Sequence, residues 1–209
     1  MNDLSLLETR VLGTLVEKQH TVPDTYPLTL NSLVSGCNQK TSRSPVMEAT
    51  ESEVQATLDG LKRRNLVIES SGSRVARYAH NVDSVLKIPS QSVAILTVLM
   101  LRGPQTPGEL RINCERLHRF ADLSAVEAFL QELAARPAGA LVVQLARLPG
   151  ARENRWAHLL SGTPAADSIS REREVRDETP GKDAIEARIA RLESEVAELR
   201  AALDKLRLQ

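Results

Sequence analysis

Residues 4–19, LSLLETRVLGTLVEKQ, place Leu4, Leu7, Val11, Leu12 and Leu15 on one helical face, with Glu and Lys opposite. That spacing predicts an amphipathic helix, which the two prolines of HTVPDTYPL then end. Thr29 stands where an N-cap is needed for a short second helix carrying Leu30, Leu33, Val34 and Cys37. After the polar stretch GCNQKTSRSP (36–45), Thr50 or Ser52 can cap a third helix reaching about Arg64. Its Val54, Leu58 and Leu61 fall at i, i+4 and i+7. LVIESSGSRVARYAH reads as a β-rich run, a Ser-Ser-Gly-Ser turn and a second extended run, hence a hairpin.

The same order returns downstream. QSVAILTVLMLR (91–102) predicts a helix buried on much of its surface, and GPQTPG a turn with Pro107 near the start of a helix bearing Leu110 and Cys114. Ser124 is placed to cap a third helix with Val126, Leu130 and Leu133, and LVVQLARLPGARENRWAHLL is again strand, Pro-Gly turn, strand. Leu33-x-x-x-Cys37 matches Leu110-x-x-x-Cys114, and Arg77-Tyr78-Ala79-His80 matches Arg155-Trp156-Ala157-His158. These coincidences point to an internal duplication. Helix, helix, helix, hairpin is the winged helix-turn-helix order, whose third helix would enter a major groove and whose hairpin is the wing. The expected fold class is mainly α with small β-hairpins (α+β). It comprises a first winged-helix domain at 1–83, a second at 88–162, and a C-terminal heptad-repeat helix. NVDSVLKIP between the domains is too short and too apolar for a floppy linker, so the two are expected to pack together.

Residues 163–183 are polar and charged with two prolines, and are expected to be a disordered linker. In 184–209, Ile185, Ile189, Leu192, Val196, Leu199, Leu203 and Leu206 form a heptad seam, with Ile189, Val196 and Leu203 at a. Arg188 at g faces Glu193 at e of a second copy, and Glu195 faces Arg200, so a parallel homodimeric coiled coil is expected. Docking of that helix on its own domain is the alternative.

Charge and composition then narrow the function. Lys+Arg and Asp+Glu are each 27, so a nucleic-acid surface must come from placement of charge and not from excess. One Trp, two Tyr and two Phe argue against a base-stacking platform for single strands. No apolar run approaches the roughly 20 residues a membrane span needs, and no basic-then-apolar signal pattern opens the chain, so a cytoplasmic protein is expected. Cys37 and Cys114 lie far apart with no His at ligand spacing, which leaves no metal site and no cofactor to expect.

Two long stretches, EKQHTVPDTYPLTLNSLVSGCNQKTSRSPVM and LRGPQTPGELRINCERLHRFADLSAVEAFLQ, resemble the YceH-type family of bacterial proteins, over roughly residues 4–162. The resemblance implies a tandem winged-helix fold. It carries over no catalytic residues.

The loop 36–45 holds no His, Asp or Glu beside a nucleophile, so enzyme activity is not expected. Lys40, Thr41, Ser42 and Arg43 are donor types that hold DNA backbone, although the same polar side chains also serve to turn a chain between helices. The third helices fit a duplex poorly. The outer face of the first offers Glu51, Ser52, Gln55, Ala56, Asp59 and Lys62, and that of the second Glu127, Ala128, Gln131 and Glu132. The wings fit better, with Arg74 and Arg77 in one and Arg147, Arg152 and Arg155 in the other, since arginines can enter a minor groove. Two readings follow. One is a regulator-type protein that binds double-stranded DNA; the other is an adaptor that presents its acidic third helices to a protein partner.

Overall fold

The first helix, α1 (Leu6–Thr21), starts where Ser5 accepts from the Glu8 N–H while the Glu8 side chain accepts from the Ser5 N–H, a reciprocal capping box. The computed structural model describes residues 4–70, 75–147 and 150–162. Its order is α1, β1 (Leu28–Thr29), α2 (Leu30–Cys37), α3 (Glu51–Arg63), β2 (Val67–Ser70), β3 (Arg77–His80) and α4 (Val82–Leu86). It continues with α5 (Ser90–Arg102), α6 (Pro107–Asn113), α7 (Leu123–Ala134), β4 (Val142–Gln144) and β5 (Trp156–His158). The class is mixed α and β, with small antiparallel sheets ordered β1-β3-β2 and β4-β5.

Two caps stand where the sequence placed them: Thr29 accepts from the Ser32 N–H, and Thr50 forms a capping box with Glu53. Thr106, which the sequence reading did not single out, forms another with Glu109. Ser124 does not cap α7. That helix begins earlier, at Leu123, because the Asp122 carboxylate accepts from the Ala125 N–H at 2.8 Å and sits favourably at the positive helix start. In the second hairpin β4 and β5 are three residues each, and the Leu145 N–H donates to Arg155 O at 2.8 Å beyond them.

The duplication reaches the register. Leu28 pairs with Tyr78 and Thr29 with Arg77, while the bridge Gln105–Trp156 repeats the first pairing one unit later, with Thr106 taking the place of Thr29 as N-cap. β1 escaped the sequence reading because two residues give no alternation to detect.

The two repeats share one hydrophobic core, and residues Met1–Thr163 form one compact unit. Residues Pro164–Gln209 form a second unit, whose expected linker and coiled coil lie outside the described residues. Within the first unit α1 lies against α5. At Gly13 the helices approach so closely that a Cβ would come within 2.9 Å of the Leu101 side chain. This packing explains why Ser92–Leu101 of α5 is buried on every side. It also corrects the reading of α1: Thr9, Arg10 and Thr14, on its nominally polar side, are fully buried.

Candidate functional site

The loop between α2 and α3 is held by two guanidinium groups, neither of them facing solvent. Arg10 Nη1 donates to Cys37 O at 3.0 Å and its Nη2 to Pro45 O at 2.6 Å. The Arg43 side chain is wholly buried; its Nε donates to Gly36 O at 3.1 Å, and its Nη atoms to Glu17 at 3.1 and 2.6 Å and to Gln39 at 2.8 Å. Arg43 is therefore not the backbone-contacting cation its sequence neighbours suggested, because reaching a phosphate would strand the Glu17 carboxylate. Burial alone would raise the Glu17 pKa, but the hydrogen bonds and charge of Arg43, with Lys18 beside it, hold that carboxyl below its usual range.

Ser42, in the left-handed region at φ 60°, accepts from Arg102 Nη2 of α5 at 2.8 Å, and the Ser44 N–H donates to Leu101 O at 2.8 Å. The loop thus fastens the first repeat to the first helix of the second. Lys40 and Thr41 remain exposed. Arg10, Glu17 and Arg102 were missed by the sequence reading, since a charge on a helix looks solvated until the element covering it is known.

Neither cysteine is reactive. Burial raises the Cys37 thiol and pushes Cys114 up to about 12, so both stay protonated. His80 pairs with Gln19 at 2.6 Å, whereas His158 Nδ1 has no partner, and burial drives that imidazole down to about 4. Among the described residues no group of three or more His, Cys, Asp or Glu side chains could hold a metal ion.

The third helices keep their acidic faces. On α3, Glu51, Ser52, Glu53 and Ala56 are exposed, and Lys62 is engaged by Asp59 at 2.8 Å and Glu69 at 2.5 Å. On α7, Glu127, Ala128, Gln131 and Glu132 are exposed.

The hairpins differ. In the first, Arg77 Nη1 donates to Pro27 O at 2.8 Å and Thr25 O at 3.3 Å, so it ties down the segment before α2; Arg74 lies outside the described residues. In the second, Arg147 and Arg152 are exposed and Arg155 is half-buried. None of the three makes a side-chain hydrogen bond or ion pair among the described residues. Arg152 and Arg155 line an open cleft of about 340 Å³ with Thr106, Gly108 and Glu153. The seam Ile185, Ile189, Leu192, Val196, Leu199, Leu203 and Leu206 lies outside the described residues.

The fold and these surfaces define a mixed α/β protein built from a repeated helix–helix–helix–hairpin unit, in which no helix among the described residues is long and apolar enough to cross a membrane. A family model described as "Protein of unknown function, DUF480" matches residues 4–151, and the chain belongs to that family. It is 62% identical over 200 residues to a UPF0502 protein of Dechloromonas aromatica (strain RCB), covering 96% of this chain and 94% of the relative. It is 58% identical over 204 residues to the UPF0502 protein Bcep18194_B0081 of Burkholderia lata, covering 96% and 86%. A UPF0502 protein of Paraburkholderia phytofirmans is 56% identical over 205 residues, covering 97% and 87%. Membership agrees with the resemblance to YceH-type bacterial proteins carried by the two quoted stretches.

Proposed function

We propose that the two repeats are winged helix-turn-helix modules and that the protein binds double-stranded DNA as a regulator does, without catalysing a reaction. The observation that carries this is the trio Arg147, Arg152 and Arg155 on the second hairpin, uncommitted to the protein, on an element order that presents such a hairpin to a groove. The acidic faces of α3 and α7 are repelled by phosphates, so the hairpin leads and the helices follow. Lys40 and Thr41 add backbone contacts from the α2–α3 loop. The heptads of 184–209 pair two chains, which doubles the number of hairpins and lets weak half-site contacts act together.

Fluorescence anisotropy of a labelled duplex at low salt tests the reading. Saturable binding that weakens in Arg147→Ala, Arg152→Ala and Arg155→Ala combined supports it; absence of duplex binding by the intact chain removes it.

The exposed carboxylates of α3 and α7, repeated in both units, favour a second reading in which those helices meet a basic protein partner. Capture from lysate with and without nuclease separates the two. A stoichiometric partner that survives nuclease supports the adaptor, and loss of every partner supports the DNA reading.

A further inference from the structure

The two repeats use the same arginine differently. Arg77 and Arg155 occupy equivalent places, each one residue before the aromatic that pairs with the β1 position of its unit. In the first repeat, residues 22–29 join α1 to α2 through a turn of 3-10 helix, Pro23–Thr25, and Arg77 is consumed by the carbonyls of Thr25 and Pro27. In the second, residues 103–106 join α5 to α6 with no such turn, and Arg155 is left without a partner among the described residues. A cleft of about 340 Å³ lies between the second hairpin and α6, and Arg155 shares it with Arg152.

The remaining wall gives the cleft its character. Thr106 is partly occupied: its hydroxyl oxygen accepts from the Glu109 N–H at 3.2 Å and its N–H donates to the Glu109 carboxylate at 2.9 Å, so the backbone donor of Thr106 is committed. Glu153 supplies one carboxylate against the two guanidiniums, leaving a net positive wall. Gly108 keeps the floor open, since a Cβ there would meet only Thr106 Oγ1, at 3.9 Å. Among the described residues no aromatic ring or side-chain amide lines the cleft, so none of them stacks on a base or reads a base edge there. Two guanidiniums in a small-walled, ring-free cleft match a phosphate ester, whose oxygens accept paired N–H donors.

We propose that the cleft between the second hairpin and α6 is a phosphate-ester site served by Arg152 and Arg155, the second of which, unlike its counterpart Arg77, has no partner among the described residues. That its phosphate is the backbone of a DNA duplex rests on the function proposed above; the cleft itself does not.

The test uses the full chain, with arginine Nε–H signals followed by NMR during separate titrations with inorganic phosphate, dimethyl phosphate, a polyglutamate peptide and a short duplex. The proposal expects Arg155 and Arg152 signals to move with dimethyl phosphate and with duplex, while the Arg77 signal stays still. The slope of log K against log salt for duplex binding should fall by about 2 in Arg152→Ala/Arg155→Ala. Gly108→Leu, which fills the cleft and keeps both charges, should weaken binding as well. If the duplex binds with unchanged slope in the double variant and the Arg155 signal is unmoved, the cleft is not the site although the duplex reading survives. If no duplex binds but inorganic or dimethyl phosphate moves both signals, the cleft stands with a free phosphate ester as its ligand and the duplex reading falls. Movement with polyglutamate alone, or with none of the four, overturns the proposal.

Discussion

Arg43 and Lys40 sit three residues apart in one polar loop and have opposite fates. Removing the buried guanidinium with Arg43→Ala leaves the Glu17 carboxylate without its closest cation, and the expected loss is about 3 kcal/mol in denaturant unfolding. Lys40→Ala, at an exposed position, should stay within about 0.5 kcal/mol. Because the folded-state pKa of Glu17 is depressed, its contribution is complete above the ordinary carboxylate range and is lost as pH falls through the folded value. Glu17→Gln should therefore lower stability at neutral pH and flatten the acid limb of the stability curve. His158 acts in a higher window. With a folded pKa of about 4 against an ordinary 6.5, the unfolded chain takes up the proton first, so stability declines as pH drops from 6.5 towards 4. His158→Leu should erase that part of the slope, read by thermal unfolding across the range. None of this was legible in the sequence. GCNQKTSRSP contains the right donors, but only the position of α1 decides that Arg43 turns inward to Glu17 while Lys40 stays out.

At the scale of elements, helix packing sets the tolerance of single positions. A Cβ at Gly36 would lie 2.6 Å from Thr14 Cγ2, where α2 crosses the fully buried middle of α1. Gly36→Ala should cost about 1–3 kcal/mol through overpacking, despite the better helix propensity of alanine, as a shift in the denaturant midpoint will report. Hydrophobic spacing revealed α1, α2, α3, α5, α6 and α7, while β-rich runs flanking Ser-Ser-Gly-Ser and Pro-Gly turns revealed both hairpins. The duplicated Leu-x-x-x-Cys and Arg-aromatic-Ala-His patterns foretold equivalent positions, and the pairings Leu28–Tyr78 and Gln105–Trp156 have the same register. What the pattern could not carry was the start of α7, where Asp122 outcompetes Ser124, and the two-residue β1 that pairs with Tyr78 and Arg77. The difference between Arg77 and Arg155 shows in no motif.

The first compact unit, within Met1–Thr163, repeats one order of elements, and the two copies differ in surface chemistry. Among the described residues the first repeat commits Arg43 and Arg77 internally, to Glu17, Thr25 and Pro27, and leaves Lys40 exposed, while Arg147, Arg152 and Arg155 of the second make no side-chain hydrogen bond or ion pair. Net charge hides this, since 27 basic residues balance 27 acidic ones and only their placement separates the repeats. If the heptads of 184–209 pair two chains, sedimentation should give twice the 22.9 kDa chain mass, and Leu192→Asp should return it to one. Whether the second hairpin grips a duplex is read most directly from the salt dependence of duplex affinity for the intact chain and for the Arg147→Ala/Arg152→Ala/Arg155→Ala variant. A hairpin that does so gives a steep linear fall of log K with log salt, with the slope reduced by about 3 in the variant. A duplex that fails to bind at low salt, or a slope the three substitutions leave untouched, contradicts that reading.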